Sequence, residues 1–195
     1  MKKIKNVFVF VFIAIAVLSL IGCTSPKQID RYFNKMQKAD SATMVVEMQV
    51  PIFGKMIMTM KVDGNKGYSS AIFDDVETYT EIIGDKTYTY TQNIFGKWEK
   101  TESITEEDAG SAGEQFEELF NSYNYEYSKD IEKFIIKEGV YPVFLNEMVA
   151  DSVTLEINGN TCIISGEVNI EGMAMPFSIT IKDLNDTTVT LPTIS

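Results

Sequence analysis

The chain has 195 residues, a formal net charge of −11 and no histidine. Without an imidazole it can build neither a Ser-His-Asp nor a Cys-His nucleophile pair, and it lacks the usual proton-transfer side chain and a common zinc ligand. Its acidity argues against nucleic acid and anionic headgroups as partners, and it has no glycine-rich phosphate-binding loop.

Lys2, Lys3 and Lys5 precede an apolar run over residues 7–21. That run falls short of the roughly 20 residues that cross a hydrocarbon core, and Gly22-Cys23-Thr24-Ser25-Pro26 follows it in place of a basic stop-transfer flank. Leu20-Ile21-Gly22-Cys23 matches the lipobox of bacterial lipoprotein signals, in which a cysteine is diacylated and the chain is cut on its N-terminal side. The expectation is a signal peptide over residues 1–22, lipidation at Cys23, and a single lipid-anchored β-rich domain over residues 23–195. An uncleaved anchor with an incidental cysteine is the alternative, and it also places the domain outside the cytoplasm. Two acyl chains hold a protein stably on a membrane without spanning it, so the expected location is the extracytoplasmic side of the cell membrane.

Beyond residue 22, 173 residues remain, with 14 basic against 28 acidic side chains and a net charge of about −14. The only cysteine besides Cys23 is Cys162, so once Cys23 is lipidated the fold must hold without an intramolecular disulfide. After Ser25-Pro26, Ile29, Tyr32, Phe33 and Met36 recur at helical spacing and predict one amphipathic helix. Residues 43–50 and 55–62 alternate as strands. Pro51-Ile52-Phe53-Gly54 between them fits a three-residue hairpin with Gly54 in the left-handed region. Turn signals at Asp63-Gly64-Asn65 and Gly84-Asp85 then separate strands over residues 66–73, 76–83, 86–91 and 95–100.

From Thr105 the pattern changes. Glu106, Glu107 and Asp108 suit a helix first turn, Ser111 with Glu114 fits a capping box, and Phe116, Leu119, Phe120 and Tyr123 form a helical stripe. Residues 128–139 read either as another helix, with Ile131, Phe134 and Ile135 on one side, or as a strand through Phe134-Ile135-Ile136. In the last third, turns at Asn158-Gly159 and Glu171-Gly172 join three strands. Two-residue loops there put Val153, Leu155, Ile157, Cys162, Ile164, Val168, Ile170, Met173, Met175, Phe177, Ile179 and Ile181 on one face, with the polar residues opposite.

Few residues invite chemistry. Glu77 and Glu81 share a strand face and Glu106 to Asp108 cluster at a helix start, which reads as solvated charge and helix-dipole complement. Cys162 lies between apolar neighbours as a buried, inert thiol. The chain is therefore expected not to be an enzyme and to need no metal or cofactor. Methionine placement stands out instead: Met44 and Met48, then Met56, Met58 and Met60, and later Met173 and Met175 occupy one face of successive strands. Strands favour β-branched residues there, whereas methionine adapts to variable apolar partners. The small residues Gly67, Ser69 and Ala71 fall opposite the second strand and leave volume unfilled. The face reads equally as a ligand pocket, with Phe177 among its walls and Phe116, Leu119 and Phe120 as a lid, or as an ordinary core. Tyr79, Tyr88, Tyr90 and Trp98 gather on one face nearby, either at a cavity mouth or simply on a sheet surface.

The lipobox, the early helix, the methionine-rich strands, the hairpin from Thr78-Tyr79-Thr80-Glu81-Ile82-Ile83 to Thr87-Tyr88-Thr89-Tyr90, Gly96-Lys97-Trp98, the helical insertion and the ending Asp183-Leu184-Asn185-Asp186 with Val189-Thr190-Leu191-Pro192 resemble the lipoprotein-carrier fold group. That group includes the periplasmic and outer-membrane lipoprotein carriers and the mycobacterial lipid-binding lipoproteins. The resemblance implies an α+β fold: a curved antiparallel sheet, or half-open β-barrel, covered by a few helices around an apolar cavity for acyl chains. It implies a membrane-anchored protein that binds or carries a lipid-like ligand. No family residue transfers one by one, and a structural or protein-interaction lipoprotein with a solid core is the competing expectation.

Overall fold

Alternating apolar and polar residues drive most of the described residues into strands, and turns with glycine at positive φ connect several of them. The computed structural model describes residues 27–51, 53–71, 76–104, 119–140, 142–144, 148–170 and 172–194. Cys23 with its lipobox, the acidic cluster Glu106 to Asp108, the Ser111–Glu114 capping box and Phe116 lie outside the described residues.

One helix, α1 (Lys27–Gln37), precedes the strands β1 (Ser41–Val50), β2 (Gly54–Asp63), β3 (Lys66–Ala71), β4 (Val76–Ile83), β5 (Lys86–Gln92) and β6 (Trp98–Ile104). Then come β7 (Tyr125–Ser128), β8 (Lys133–Ile136), β9 (Val143–Phe144), β10 (Met148–Asn158), β11 (Thr161–Ile170) and β12 (Met173–Lys182). Eleven strands form one open antiparallel sheet in the order β6-β5-β4-β3-β2-β1-β12-β11-β10-β8-β7, with the short β9 paired to β10 off that path. Two meanders are joined where β1 pairs β12, Met44 opposite Ile181 and Met48 opposite Phe177.

This corrects the expected fold class. The protein is mostly β, not α+β: among the described residues the sheet is accompanied by a single α-helix. Two local causes account for the difference. Within residues 128–139 the regular element is the strand Lys133–Ile136, not a helix, because Phe134-Ile135-Ile136 is a short apolar run that pairs with β7, with Tyr127 and Phe134 in edge contact at 5.3 Å across the hairpin. The stripe through Leu119, Phe120 and Tyr123 is not an α-helix where it is described. Leu119 and Phe120 lie in a turn followed by a 3-10 turn at Ser122–Asn124. Asn121 is extended, and its side chain accepts a hydrogen bond from the Tyr123 amide at 3.1 Å, giving the backbone an alternative to helical continuation.

The hairpin registers follow the turn chemistry. Val50 faces Gly54 across a three-residue loop, with Gly54 at φ +81°, while Asn158 faces Thr161 and Ile170 faces Met173 across two-residue loops. The resulting core unites the helix stripe Ile29, Tyr32, Phe33 and Met36 with Val153, Leu155, Cys162, Ile164, Val168, Met175, Phe177, Ile179 and Ile181. Leu119 and Phe120 join it, and the Phe120 ring stands edge-on to Phe33 at 5.9 Å. Buried hydroxyls tie the layers together. Tyr32 lies within donating distance of the carbonyls of Ile181 (2.9 Å) and Asn160 (3.2 Å), and Tyr125 donates to the Leu119 carbonyl at 2.7 Å.

Candidate functional site

The methionine face is built by register. Met44, Val46 and Met48 of β1 stand opposite Met60, Met58 and Met56 of β2, and β2 in turn places Met60 opposite Ser69 and Met58 opposite Ala71. Met44 is 0% exposed, Met60 2% and Met48 8%, so these three belong to the core, as do Met175 and Phe177. Met56 and Met58 are half-buried and pack against its edge. Met173 is the exception among the expected pocket residues. It begins β12 directly after the turn and is 44% exposed. Leu119 and Phe120 are buried in the core.

The expected unfilled volume is also smaller than the residue sizes suggest. A Cβ on Gly67 would lie 2.5 Å from the Thr80 hydroxyl, so that threonine, itself buried, occupies the space above the glycine. Ser69 and Ala71 remain as the small neighbours of Met60 and Met58. Gly166 plays a similar part deeper in the sheet. A Cβ there would lie 2.8 Å from the Asp151 carbonyl and 3.0 Å from the Phe177 ring, which shows that Phe177 lies directly over the glycine.

Following the same face past β3 shows a feature the sequence reading missed. Ser69 pairs with Thr78 and Gly67 with Thr80, then Thr78 with Thr91 and Thr80 with Thr89, then Thr89 with Thr101. The methionine surface therefore passes laterally into a band of hydroxyls. The signal was present as alternating threonines in β4 and β5, and it needed the cross-strand register to become one surface.

The tyrosines lie on the opposite face. Tyr68 pairs with Lys61 and Tyr79, and Tyr79 pairs with Tyr90, one position out of phase with the methionines, so they cannot rim a methionine cavity. Tyr79 lies 5.0 Å from Tyr68 and 5.3 Å from Trp98, and Lys100 sits 3.8 Å over the Tyr88 ring. Glu77 and Glu81 accept hydrogen bonds from Tyr68 and Tyr90 at 3.0 and 3.2 Å. Burial raises the phenol pKa of Tyr68 and Tyr79. On this same side the chain after β12 leaves an open polar cleft of about 330 Å³, lined by Lys61 and Lys182, Asp183 and Asp186, and threonine hydroxyls.

The Cys162 thiol is buried and its pKa is pushed up to about 12 by burial, so it stays protonated and inert. No group of three or more potential ligand side chains among the described residues could hold a metal ion. No helix among them is long and apolar enough to cross a membrane.

No family model matches the chain, and no curated protein matches it. Among solved structures it is similar to the ywiB protein from Bacillus subtilis, at 11% identity over 73% of this chain and 91% of that one, with a TM-score of 0.22. A likeness that slight assigns neither fold nor function.

Proposed function

We propose that the protein is a lipid-anchored, non-catalytic lipoprotein on the extracytoplasmic side of the cell membrane that binds an amphipathic, lipid-like ligand against its methionine face. The observation that carries this reading is the change along that face. Fully buried Met44 and Met60 give way to half-buried Met56 and Met58, and beyond Ser69 and Ala71 lies the threonine band. An acyl chain laid on the methionines gains about 0.8 kcal/mol per methylene it buries, and a polar head meets hydroxyls instead of apolar surface. Cys23 supplies the anchor, four residues before α1 begins.

The second reading, an interaction lipoprotein with a solid interior, draws on Met44, Met48, Met60 and Met175, all at most 8% exposed. Native mass spectrometry of protein isolated together with its own membrane separates the two. Binding predicts a co-purifying species with the mass of an acyl or isoprenoid lipid, released on denaturation, and a uniformly unliganded protein supports the solid interior. The anchor is tested separately with labelled palmitate. Cys23→Ser should abolish incorporation, since only the thiol accepts the diacylglyceryl group; a labelled Cys23→Ser protein would end the lipobox reading.

A further inference from the structure

Strand β6 forms one end of the sheet, and from Glu99 to Ile104 every side chain is exposed, whereas its neighbour β5 is mostly half-buried. Among the described residues it pairs only with β5. Apolar exposure gathers here as well: Ile104 is 75% exposed, and Ile94 and Phe95 in the turn leading into β6 are 93% and 80% exposed. An edge of this kind invites another strand unless its side chains forbid the pairing. We infer that β6 is a self-complementary edge, which pairs antiparallel with β6 of a second copy of this chain about a two-fold axis at Thr101.

Charge complementarity selects both the partner and the register. Centred on Thr101, Trp98 of each copy faces Ile104 of the other, Glu99 faces Ser103, and Lys100 faces Glu102. Both opposite-charge pairs fall on one face with the two Trp–Ile contacts outside them, and the other face carries only small hydroxyl and carboxylate neighbours. Shifting the axis by one residue either way sets Lys100 against Lys100 or Glu102 against Glu102, which is repulsive in directly opposed positions. Within one chain Glu102 already bonds Lys86 at 2.6 Å. The second copy's Lys100 therefore adds a cation to an existing acidic acceptor, placing each carboxylate between two ammonium groups. The interface is isologous, so it closes at two copies and occupies the β6 edge of each.

Cysteine placement reads this register directly in the full chain, extracted in mild detergent, with the wild type as background because Cys162 is buried. At the axis two copies of residue 101 stand about 4.5–5.5 Å apart between Cα atoms, within the range of a disulfide. Residue 99 lies about 14 Å along the strands from its own copy. Under mild oxidation Thr101→Cys should form a covalent dimer reversed by reductant. Glu99→Cys and Ser103→Cys should each fail alone and cross-link when mixed. Lys100→Glu should abolish the Thr101→Cys dimer, and adding Glu102→Lys should restore it. A Thr101→Cys protein no more dimeric than wild type, or Glu99→Cys cross-linking to itself as readily, overturns the proposal.

Discussion

Ile179 and Thr180 are adjacent in β12 and differ completely in surroundings: Ile179 is 0% exposed opposite Ile164, while Thr180 points to the other, half-exposed face opposite Ile163. Ile179→Lys should cost about 3–5 kcal/mol, because it strands a charge in a core with no counter-ion. Thr180→Lys should be close to neutral. Equal urea midpoints for the two would mean that the faces are misassigned. Gly166→Ala is a second residue-scale test. Its Cβ would press on the Asp151 backbone, which cannot rotate away, and on the Phe177 ring. Overpacking of this kind costs about 1–3 kcal/mol, and an unchanged midpoint would show that Phe177 does not lie over that glycine.

At the scale of elements, the parts that could be read from sequence were those in which turn chemistry and alternation agree. Pro51 to Gly54, Asn158-Gly159 and Glu171-Gly172 each set a loop length, and the loop length sets which side chains share a face. The helix α1 was equally legible, since Ile29, Tyr32, Phe33 and Met36 all prove buried. What failed was periodicity over short apolar runs. Phe134-Ile135-Ile136 fits a helix or a strand, and only its pairing with β7 and β10 decides it. The stripe at Leu119, Phe120 and Tyr123 keeps the burial of its first two members without α-helical geometry, because contact with α1 rewards their position and not their backbone. For the site, alternation placed the methionines on one face but could not grade them. Burial depends on where in its strand a residue stands: Met44 lies mid-strand between Met60 and Ile181, whereas Met173 begins β12 after the turn, so the two look alike in sequence and differ from 0% to 44% exposed. The joint between α1 and the sheet can be tested through Tyr32, whose hydroxyl reaches the Ile181 carbonyl. Tyr32→Phe keeps the ring and should cost about 0.5–1.5 kcal/mol, the net worth of one hydrogen bond. No loss of stability would place that hydroxyl in water.

The whole molecule relies on its apolar core, and that core holds three groups that ionise only at alkaline pH. Burial raises the pKa of Tyr32, Tyr125 and Cys162, the last from 9.0 to about 12. Each is neutral in the core and charges more easily in the unfolded chain. The stability they contribute is therefore complete below the unfolded values and is lost as pH rises through the folded ones. For Cys162 the window runs from pH 9.0 to about 12. Urea midpoints should fall steadily across that range, and Cys162→Ala should fall less steeply than wild type; a flat profile would mean these groups are hydrated in the fold.

Ligand binding as proposed needs accessible volume at the edge of the methionine face, and Met58→Trp probes that volume. Met58 is half-buried between Val46 and Ala71, where the core thins out. Ligand occupancy by native mass spectrometry and the urea midpoint are to be read on the same variant and compared with wild type. If the volume exists, the indole fills it: bound lipid is lost and stability changes by less than about 1 kcal/mol. A wild type that carries no ligand, with a Met58→Trp protein destabilised by about 1–3 kcal/mol, would show a filled interior and contradict the claim.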